Sequence, residues 1–84
     1  QSQKFVIYPN PTGGKLYIQS LNQHCEYAKF EVYDEYGRLV LQEAANDLNA
    51  KDEYFLNLNM LKSSVYQLKI KSKNTVSVHK VVIR

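Results

Sequence analysis

The sequence contains few of the residues that stabilise small domains covalently. Its single cysteine, Cys25, cannot form a disulfide within the chain, so a domain of this size depends on packing and sheet hydrogen bonds. Tryptophan is absent, and only three glycines and two prolines occur among the 84 residues. No apolar run approaches the roughly 20 residues that a membrane-spanning helix needs, and no signal peptide is visible. The sequence therefore argues against a disulfide scaffold and against a membrane helix.

Residues that support catalysis or metal binding are also scarce. His24, Cys25 and His79 are possible zinc ligands, but their spacing matches no zinc motif. The carboxylate pairs Asp34–Glu35 and Asp52–Glu53 are chain neighbours, whose side chains point apart and do not form a general acid–base pair. We predict no enzyme activity, no catalytic residue, no metal site and no cofactor. Cys25 is interpreted as a loop cysteine without a catalytic partner.

Seven tyrosines and three phenylalanines leave a binding function open. If Tyr17, Tyr33 and Phe55 are exposed, they can stack on sugars or bases. Aromatic residues also pair across strands in small sheets without any ligand. An adhesion or carbohydrate-binding module therefore stays as an alternative function, and it requires a flat, exposed aromatic row. We predict no nucleic-acid partner, and Gly13–Gly14 lacks the helix and the lysine of a phosphate-binding loop.

The charge is unevenly distributed along the chain. All eight acidic residues lie within residues 26–53, whereas residues 54–84 contain six lysines and arginines and no acid. Such asymmetry can indicate an anionic partner for Lys69, Lys71 and Lys73. The alternative is that lysines solvate the outer faces of strands and protect sheet edges from aggregation. The sequence leaves both interpretations open.

Short β-rich runs with a two-residue period alternate with turn residues throughout the chain. Seven strands are predicted, at Phe5–Tyr8, Lys15–Gln19, Tyr27–Asp34, Arg38–Ala44, Glu53–Leu58, Val65–Lys71 and Thr75–Arg84. The inward-facing residues are then Leu16, Ile18, Ala28, Phe30, Val32, Tyr54, Leu56, Leu58, Tyr66, Leu68 and Ile70. We predict an all-β fold, an antiparallel sandwich of two sheets with immunoglobulin-like architecture, formed by one domain over residues 1–84.

The last predicted strand does not keep one phase. Val76 and Val78 share one parity, whereas Val81 and Ile83 share the other. An extra residue near His79-Lys80, that is a β-bulge, would bring both pairs to the core. The alternative is a terminal stretch that is buried on both sides.

Turn chemistry predicts the connections between strands. Pro9–Gly14 contains two prolines and two glycines and predicts a rigid, tightly bent segment. Gly37 is expected in the left-handed region of a hairpin turn, and Asn74 in that of another tight turn. The polar stretches Leu21–Glu26 and Asn46–Lys51 are predicted to be loops.

Four segments in this order resemble a known family. The segments are Tyr-Pro-Asn-Pro-Thr-Gly-Gly-Lys-Leu-Tyr-Ile at residues 8–18, Val-Tyr-Asp-Glu-Tyr-Gly-Arg-Leu-Val at 32–40, Leu-Lys-Ser-Ser-Val-Tyr-Gln-Leu-Lys-Ile at 61–70 and Lys-Val-Val-Ile-Arg at 80–84. Together they resemble the type A C-terminal sorting domain of the type IX (Por) secretion system, and the resemblance covers nearly the whole chain.

The resemblance also implies which residues matter. Its signature positions, interpreted mainly as structural, are Pro9, Asn10, Pro11, Gly14, Gly37, Arg38, Val65 and Tyr66. Ser64 stands where the family usually has glycine, and serine tolerates a positive φ poorly. The break of phase in the last strand and its basic ending motivate a separate hypothesis, in which the translocon recognises Lys80, Val81, Val82, Ile83 and Arg84. A terminal strand suits this role because its backbone can pair with the edge of a partner.

The function implied by the resemblance is that of a C-terminal signal domain on a larger secreted protein. The domain would direct an upstream cargo domain of the same chain through the periplasm and across the outer membrane to the cell surface. Its partners would be the translocon, shuttle and sortase components. A surface sortase would remove the domain, and the cargo would be attached to the surface or released. A weak homodimer through an exposed sheet edge is also possible.

Overall fold

A computed structural model describes residues 4–73 and 75–84 of the chain. Its seven strands are β1 (Phe5–Tyr8), β2 (Lys15–Ser20), β3 (Cys25–Tyr33), β4 (Leu39–Leu48), β5 (Glu53–Asn57), β6 (Ser64–Ser72) and β7 (Val76–Ile83). They form two antiparallel sheets, one with the order β1-β2-β5 and one with the order β4-β3-β6-β7. The prediction of an all-β, two-sheet fold with seven strands is confirmed. Within residues 4–73 and 75–84, no helix is long and apolar enough to cross a membrane.

The fourth strand distinguishes this sandwich from the constant-type immunoglobulin arrangement. There, the fourth strand in chain order joins the sheet of the first, second and fifth strands. Here β4 pairs with β3 instead, over a register from Cys25↔Leu48 to Tyr33↔Leu39. The result is a three-stranded sheet packed on a four-stranded one.

The core lies between the two sheets and follows from the alternation of the sequence. Successive side chains of a strand point to opposite faces, so alternate residues of the inner strands are buried, among them Leu16 and Ile18 of β2, Phe30 and Val32 of β3, Leu56 of β5, and Leu68 and Ile70 of β6. Phe30 of β3 reaches Tyr54 of β5 across the interface, with ring centroids 4.8 Å apart. The predicted inward residues are all buried except Tyr54, which is half-buried.

Two predicted loops are partly strand. Cys25 begins β3 and is buried, and it pairs with Leu48, the last residue of β4. The predictions of a loop cysteine and of loops over Leu21–Glu26 and Asn46–Lys51 were therefore wrong at these ends. Polar residues at these ends, Glu26, Asn46 and Asp47, suggested loops. Cys25 and Leu48 are nevertheless buried and pair with each other, so the pairing of β3 with β4 continues past them.

The β-bulge predicted in the last strand was also wrong. β6 and β7 pair without interruption from Ser64↔Ile83 to Lys71↔Val76. Val76 and Val78 point outward and are 62% and 55% exposed. The residues that point inward in this part of β7 are Ser77 and His79, which are half-buried. They share the parity of Val81 and Ile83, so the strand keeps one inward face without an extra residue. The described strands show a register shift between Val32 and Tyr33, in β3.

Candidate functional site

The inner side of the terminal strand is part of the core. Val81 is 1% exposed and Ile83 is 4% exposed, and both belong to the cluster of buried residues between the sheets. Lys80 and Arg84 are exposed, and Val82 is half-buried. Residues 80–84 thus divide into two core side chains and three that a partner can reach.

The segment Pro9–Gly14 hydrogen-bonds to the backbone edge of residues 80–84 that faces away from β6. Asn10 Nδ2 donates a hydrogen bond to the carbonyl of Lys80 at 2.7 Å, and Asn10 Oδ1 accepts one from the N–H of Val82 at 3.0 Å. Thr12 N–H donates to the Val82 carbonyl at 2.8 Å, and the N–H of Arg84 donates to the Thr12 carbonyl at 2.9 Å. Thr12 and Ile83 therefore form a parallel bridge. The backbone edge predicted to be free for a partner is already paired here.

Thr12 holds the segment in this position. It is 2% exposed, and its hydroxyl donates to the Lys15 carbonyl and accepts a hydrogen bond from the N–H of Gly14. Gly14 has φ 131°, a conformation that L-residues rarely adopt, and its carbonyl accepts a hydrogen bond from Leu58 N–H at 2.7 Å. A Cβ at Gly14 would overlap Asn59 Oδ1, so the Asn59 side chain would have to move to admit one.

Two other signature residues flank the terminal strand on its opposite side. Val65 of β6 pairs with Val82, and Tyr66 pairs with Val81. The Tyr66 hydroxyl donates to the carbonyl of Lys62 at 2.7 Å, which ties the start of β6 to the preceding connection. Residues 80–84 are thus held between Pro9–Gly14 on one side and Val65–Tyr66 on the other.

The central hairpin turn lies next to this region. A groove of about 250 Å³ is lined by Asp34, Glu35, Gly37, Val65, Tyr66 and Gln67. Asp34 organises the turn, since Oδ1 accepts from the N–H groups of Tyr36 and Arg38, and Oδ2 pairs with Arg38 Nε at 2.8 Å. These interactions hold the pKa of the Asp34 carboxyl below its usual range, with the backbone hydrogen bond from Arg38 as the largest cause. Gly37 has φ 80°, which confirms its predicted left-handed conformation.

Two expectations about turn conformation have different outcomes. Ser64 is the first residue of β6 and does not have a positive φ, so serine in place of glycine causes no strain of that kind. Asn74, predicted to be left-handed, lies outside the described residues.

A charged cluster covers the outer face of the four-stranded sheet. Glu31 lies on this outer face, opposite in parity to Phe30 and Val32, but it is only 5% exposed. Lys71 Nζ lies 3.3 Å from one of its carboxylate oxygens and Lys29 Nζ 3.4 Å from the other, and the Tyr33 hydroxyl donates at 2.8 Å. The hydrogen bond from Tyr33 is the main cause that lowers the pKa of Glu31. Lys69 Nζ lies 5.3 Å from the centre of the Tyr33 ring.

The histidines and the cysteine do not assemble into a site. His24 lies 3.4 Å from Asp47, and His79 contacts the hydroxyl of Ser77 at 3.1 Å. Cys25 Sγ donates to the Tyr27 carbonyl, and burial raises the pKa of the thiol. Among residues 4–73 and 75–84, no group of three or more His, Cys, Asp or Glu side chains could hold a metal ion.

The outer face of the three-stranded sheet carries an aromatic row. Tyr8 pairs with Tyr17 across β1 and β2, and Tyr17 pairs with Phe55 across β2 and β5. Their ring centroids are 5.9 Å and 5.6 Å apart. Tyr17 is half-buried rather than exposed, whereas Phe55 is 45% exposed. Tyr33, also considered for stacking, is half-buried on the other sheet and is not part of the row.

Sequence reasoning missed several residues of this region. Thr12 was not singled out, and Asp34 was considered only as part of a carboxylate pair, although each residue directs several hydrogen bonds. Asp34 had a local signal, because an aspartate three residues before glycine is typical of a hairpin turn. Thr12 had none, since its partners Val82 and Arg84 lie some 70 positions away along the chain.

These features define the class of protein. It is a disulfide-free β-sandwich module whose distinguishing residues surround the last strand, β7, at one end of the sheets. The chain belongs to the family of secretion system C-terminal sorting domains, whose family model matches residues 6–84. No curated protein matches the chain.

Membership of this family defines the general role of the chain. It is a C-terminal sorting signal of type IX secretion, which directs export across the outer membrane. The family implies that the chain interacts with the type IX machinery and carries its cargo in the same polypeptide. Domains of this family are generally non-catalytic.

Proposed function

We propose that the type IX machinery recognises this domain through residues 80–84 and that a surface sortase then removes it. The cargo would be attached to the cell surface or released. The translocon, shuttle and sortase components are the proposed partners. The observation that supports recognition at this end is the convergence of Pro9–Gly14, Val65–Tyr66 and Lys80–Arg84.

The geometry limits which atoms of residues 80–84 are accessible to the export machinery. Val81 and Ile83 are in the core, and the outward backbone groups of Val82 are paired with Asn10 and Thr12. The side chains of Lys80, Val82 and Arg84 remain. They form a surface of two cations around one apolar residue, which favours a partner with a complementary acidic surface.

A fusion experiment tests the proposal. A reporter with an export signal is joined to the N-terminal end of this chain in a bacterium that has type IX secretion. We expect the reporter at the cell surface or in the medium. Deletion of residues 80–84 should leave it in the periplasm, but this deletion also removes Val81 and Ile83 from the core. The double variant Lys80→Glu, Arg84→Glu should also retain the reporter in the periplasm and leave the core intact.

The matched control is Lys62→Glu, which reverses an exposed lysine on the β5–β6 connection. It should be delivered normally. Melting temperatures of the purified domains show whether each variant is folded. Normal delivery of the folded double variant would contradict recognition at residues 80–84.

A second candidate function is glycan binding, and the row Tyr8–Tyr17–Phe55 is the observation that favours it. A groove of about 370 Å³ beside Tyr17 adds Pro9, Thr12, Gly13, Lys15 and Asn59. Contact among the rings also stabilises the sheet without any ligand, at roughly 0.2–1 kcal/mol for each pair. A glycan array probed with the domain and with Phe55→Ala separates these roles. Binding by the wild type that Phe55→Ala abolishes would support the second function, and an array without binding would dismiss it.

A further inference from the structure

The outer edge of β7 is divided into two halves. From the carbonyl of Lys80 to the N–H of Arg84, Asn10 and Thr12 occupy the edge. From Val76 to the N–H of Lys80, no residue of the described part of the chain hydrogen-bonds to the outward backbone groups. We call this second half the open edge.

The direction of these groups follows from strand geometry. In an antiparallel pair, the N–H and C=O of one residue point to the same side, and successive residues alternate. Val82 points both groups away from β6, toward Asn10 and Thr12. The residues at the same parity, Val78 and Val76, therefore also point their backbone groups outward.

The side chains beside the open edge are apolar and exposed. Val76 and Val78 lie on the outer face of the four-stranded sheet, 62% and 55% exposed. Edge strands usually carry charges or prolines at such positions, because an apolar edge promotes pairing with another strand. The open edge lacks this protection, because two exposed valines lie beside its unpaired backbone groups.

The charges around the open edge have one sign. Lys73 precedes β7 and Lys80 lies within it, and both are exposed and form no ion pair with any described residue. The whole stretch of residues 54–84 contains no acid. The nearby Lys69 and Lys71 direct their ammonium groups toward Tyr33 and Glu31, away from β7. Lys73 and Lys80, at the two ends of the open edge, are thus available to an acidic partner.

We propose that the open edge binds an extended, acidic segment of the export machinery by strand addition. The partner strand would hydrogen-bond to the backbone of Val76 and Val78 and lay apolar side chains over both valines. Its acidic side chains would pair with Lys73 and Lys80. This inference rests on the proposed sorting function and adds to it the chemistry of one partner, at a surface distinct from the side chains of Val82 and Arg84.

A second copy of this chain fits the open edge poorly. If two β7 strands paired through their open edges, Lys73 and Lys80 of both copies would come together without a compensating acid. Like charges that face each other across strands destabilise the pairing. Charge complementarity therefore favours an acidic segment over a homodimer.

Binding of a defined peptide tests the inference directly. The probe is an acetylated extended peptide whose central valines are flanked at both ends by glutamates, and the control probe is the same peptide with lysine in place of each glutamate. We expect the 84-residue chain to bind the glutamate peptide at least about tenfold more tightly, with weaker binding at higher salt. Amide hydrogen exchange at Val76 and Val78 should slow in the complex.

Two pairs of variants isolate the backbone and charge contributions. Val78→Pro removes the outward N–H without loss of a bond to β6, whereas Val78→Thr keeps it. Lys73→Glu reverses a charge beside the open edge, whereas Lys62→Glu reverses one at the opposite end of β6. We expect Val78→Pro and Lys73→Glu to weaken binding at least about tenfold and their controls to retain it. The inference would be overturned if folded Val78→Pro bound the peptide as tightly as the wild type, or if the wild type did not bind it. It would also be overturned if amide exchange slowed at another sheet edge, or if the chain formed a dimer through β7.

The reporter fusion separates this inference from the function on which it rests. We expect Val78→Pro to leave the reporter in the periplasm and Val78→Thr to deliver it. If the wild-type fusion is delivered and Val78→Pro is delivered equally well, the inference fails while the sorting function stands. If the wild-type fusion itself stays in the periplasm, the proposed function fails, and the peptide measurement still decides whether the edge binds an acidic strand.

Discussion

The side chain of Asn10 pairs with the backbone of Val82 as an adjacent strand would, because Asn10 Oδ1 accepts a hydrogen bond from the Val82 N–H at 3.0 Å. Its Nδ2 donates to the Lys80 carbonyl at 2.7 Å, so one amide satisfies two successive positions of the edge. Thr12 continues the pairing through its backbone. This relationship gives the Pro-Asn-Pro signature a physical role, which is to close one half of an edge strand and leave the other half open.

Loss of the Asn10 amide should open that closed half. Asn10→Ala removes both side-chain hydrogen bonds, and we expect about 1 kcal/mol lower stability, since a hydrogen bond contributes little net energy when water can replace it. Amide exchange at Val82 should accelerate strongly, because its N–H then has no partner. Asn10→Asp keeps the acceptor for Val82 and loses the donor for Lys80, so Val82 should stay protected in that variant. Equal exchange of Val82 in all three proteins would contradict this role.

A side chain at Gly14 should distort the same segment. The φ of 131° opposes any residue other than glycine, and a Cβ would also displace the side chain of Asn59. We expect Gly14→Ala to lower the free energy of unfolding by about 1–3 kcal/mol. Gly13→Ala is the matched control, because a Cβ there meets nothing within 4 Å. Urea denaturation of both variants is the measurement, and equal midpoints would show that Gly14 is not required.

Much of the fold could be predicted from local sequence. Phe30, Leu56 and Leu68 were placed in the core because polar and apolar residues alternate along their strands, and side chains alternate between faces with the same period. The left-handed conformation of Gly37 followed from the turn residues around it. These predictions need only a few neighbouring residues.

What could not be predicted depends on contacts between distant residues. The phase of β7 was misread because Val76 and Val78 were assumed to be inward, and only the register with β6 shows that they face out. The closure of the edge by Asn10 joins residues 72 positions apart. Burial of Glu31 was missed for the same reason, since its cover includes Lys71 from another strand.

Shortening single side chains near the end of the chain should separate folding from recognition. Ile83 is 4% exposed and belongs to the core, so we expect Ile83→Ala to cost about 2–4 kcal/mol of stability. Val82 is half-buried on the outer face, so Val82→Ala should cost well under half as much. If residues 80–84 are recognised through their outward side chains, Val82→Ala should impair delivery of a fused reporter despite its higher stability. Impaired delivery by Ile83→Ala alone would point to folding as the cause.

Stability of the domain should decline as the pH falls below roughly 6.5 because of His79. Burial lowers the pKa of His79 in the folded state, so the unfolded chain binds the proton more readily. The stabilising effect of neutral His79 is therefore complete above its unfolded pKa of roughly 6.5 and is lost as the pH falls below that value. Melting temperatures at pH 7.5 and pH 5.5 should differ more for the wild type than for His79→Gln. His24→Gln is the control, and an unchanged difference in His79→Gln would rule out His79 as the cause.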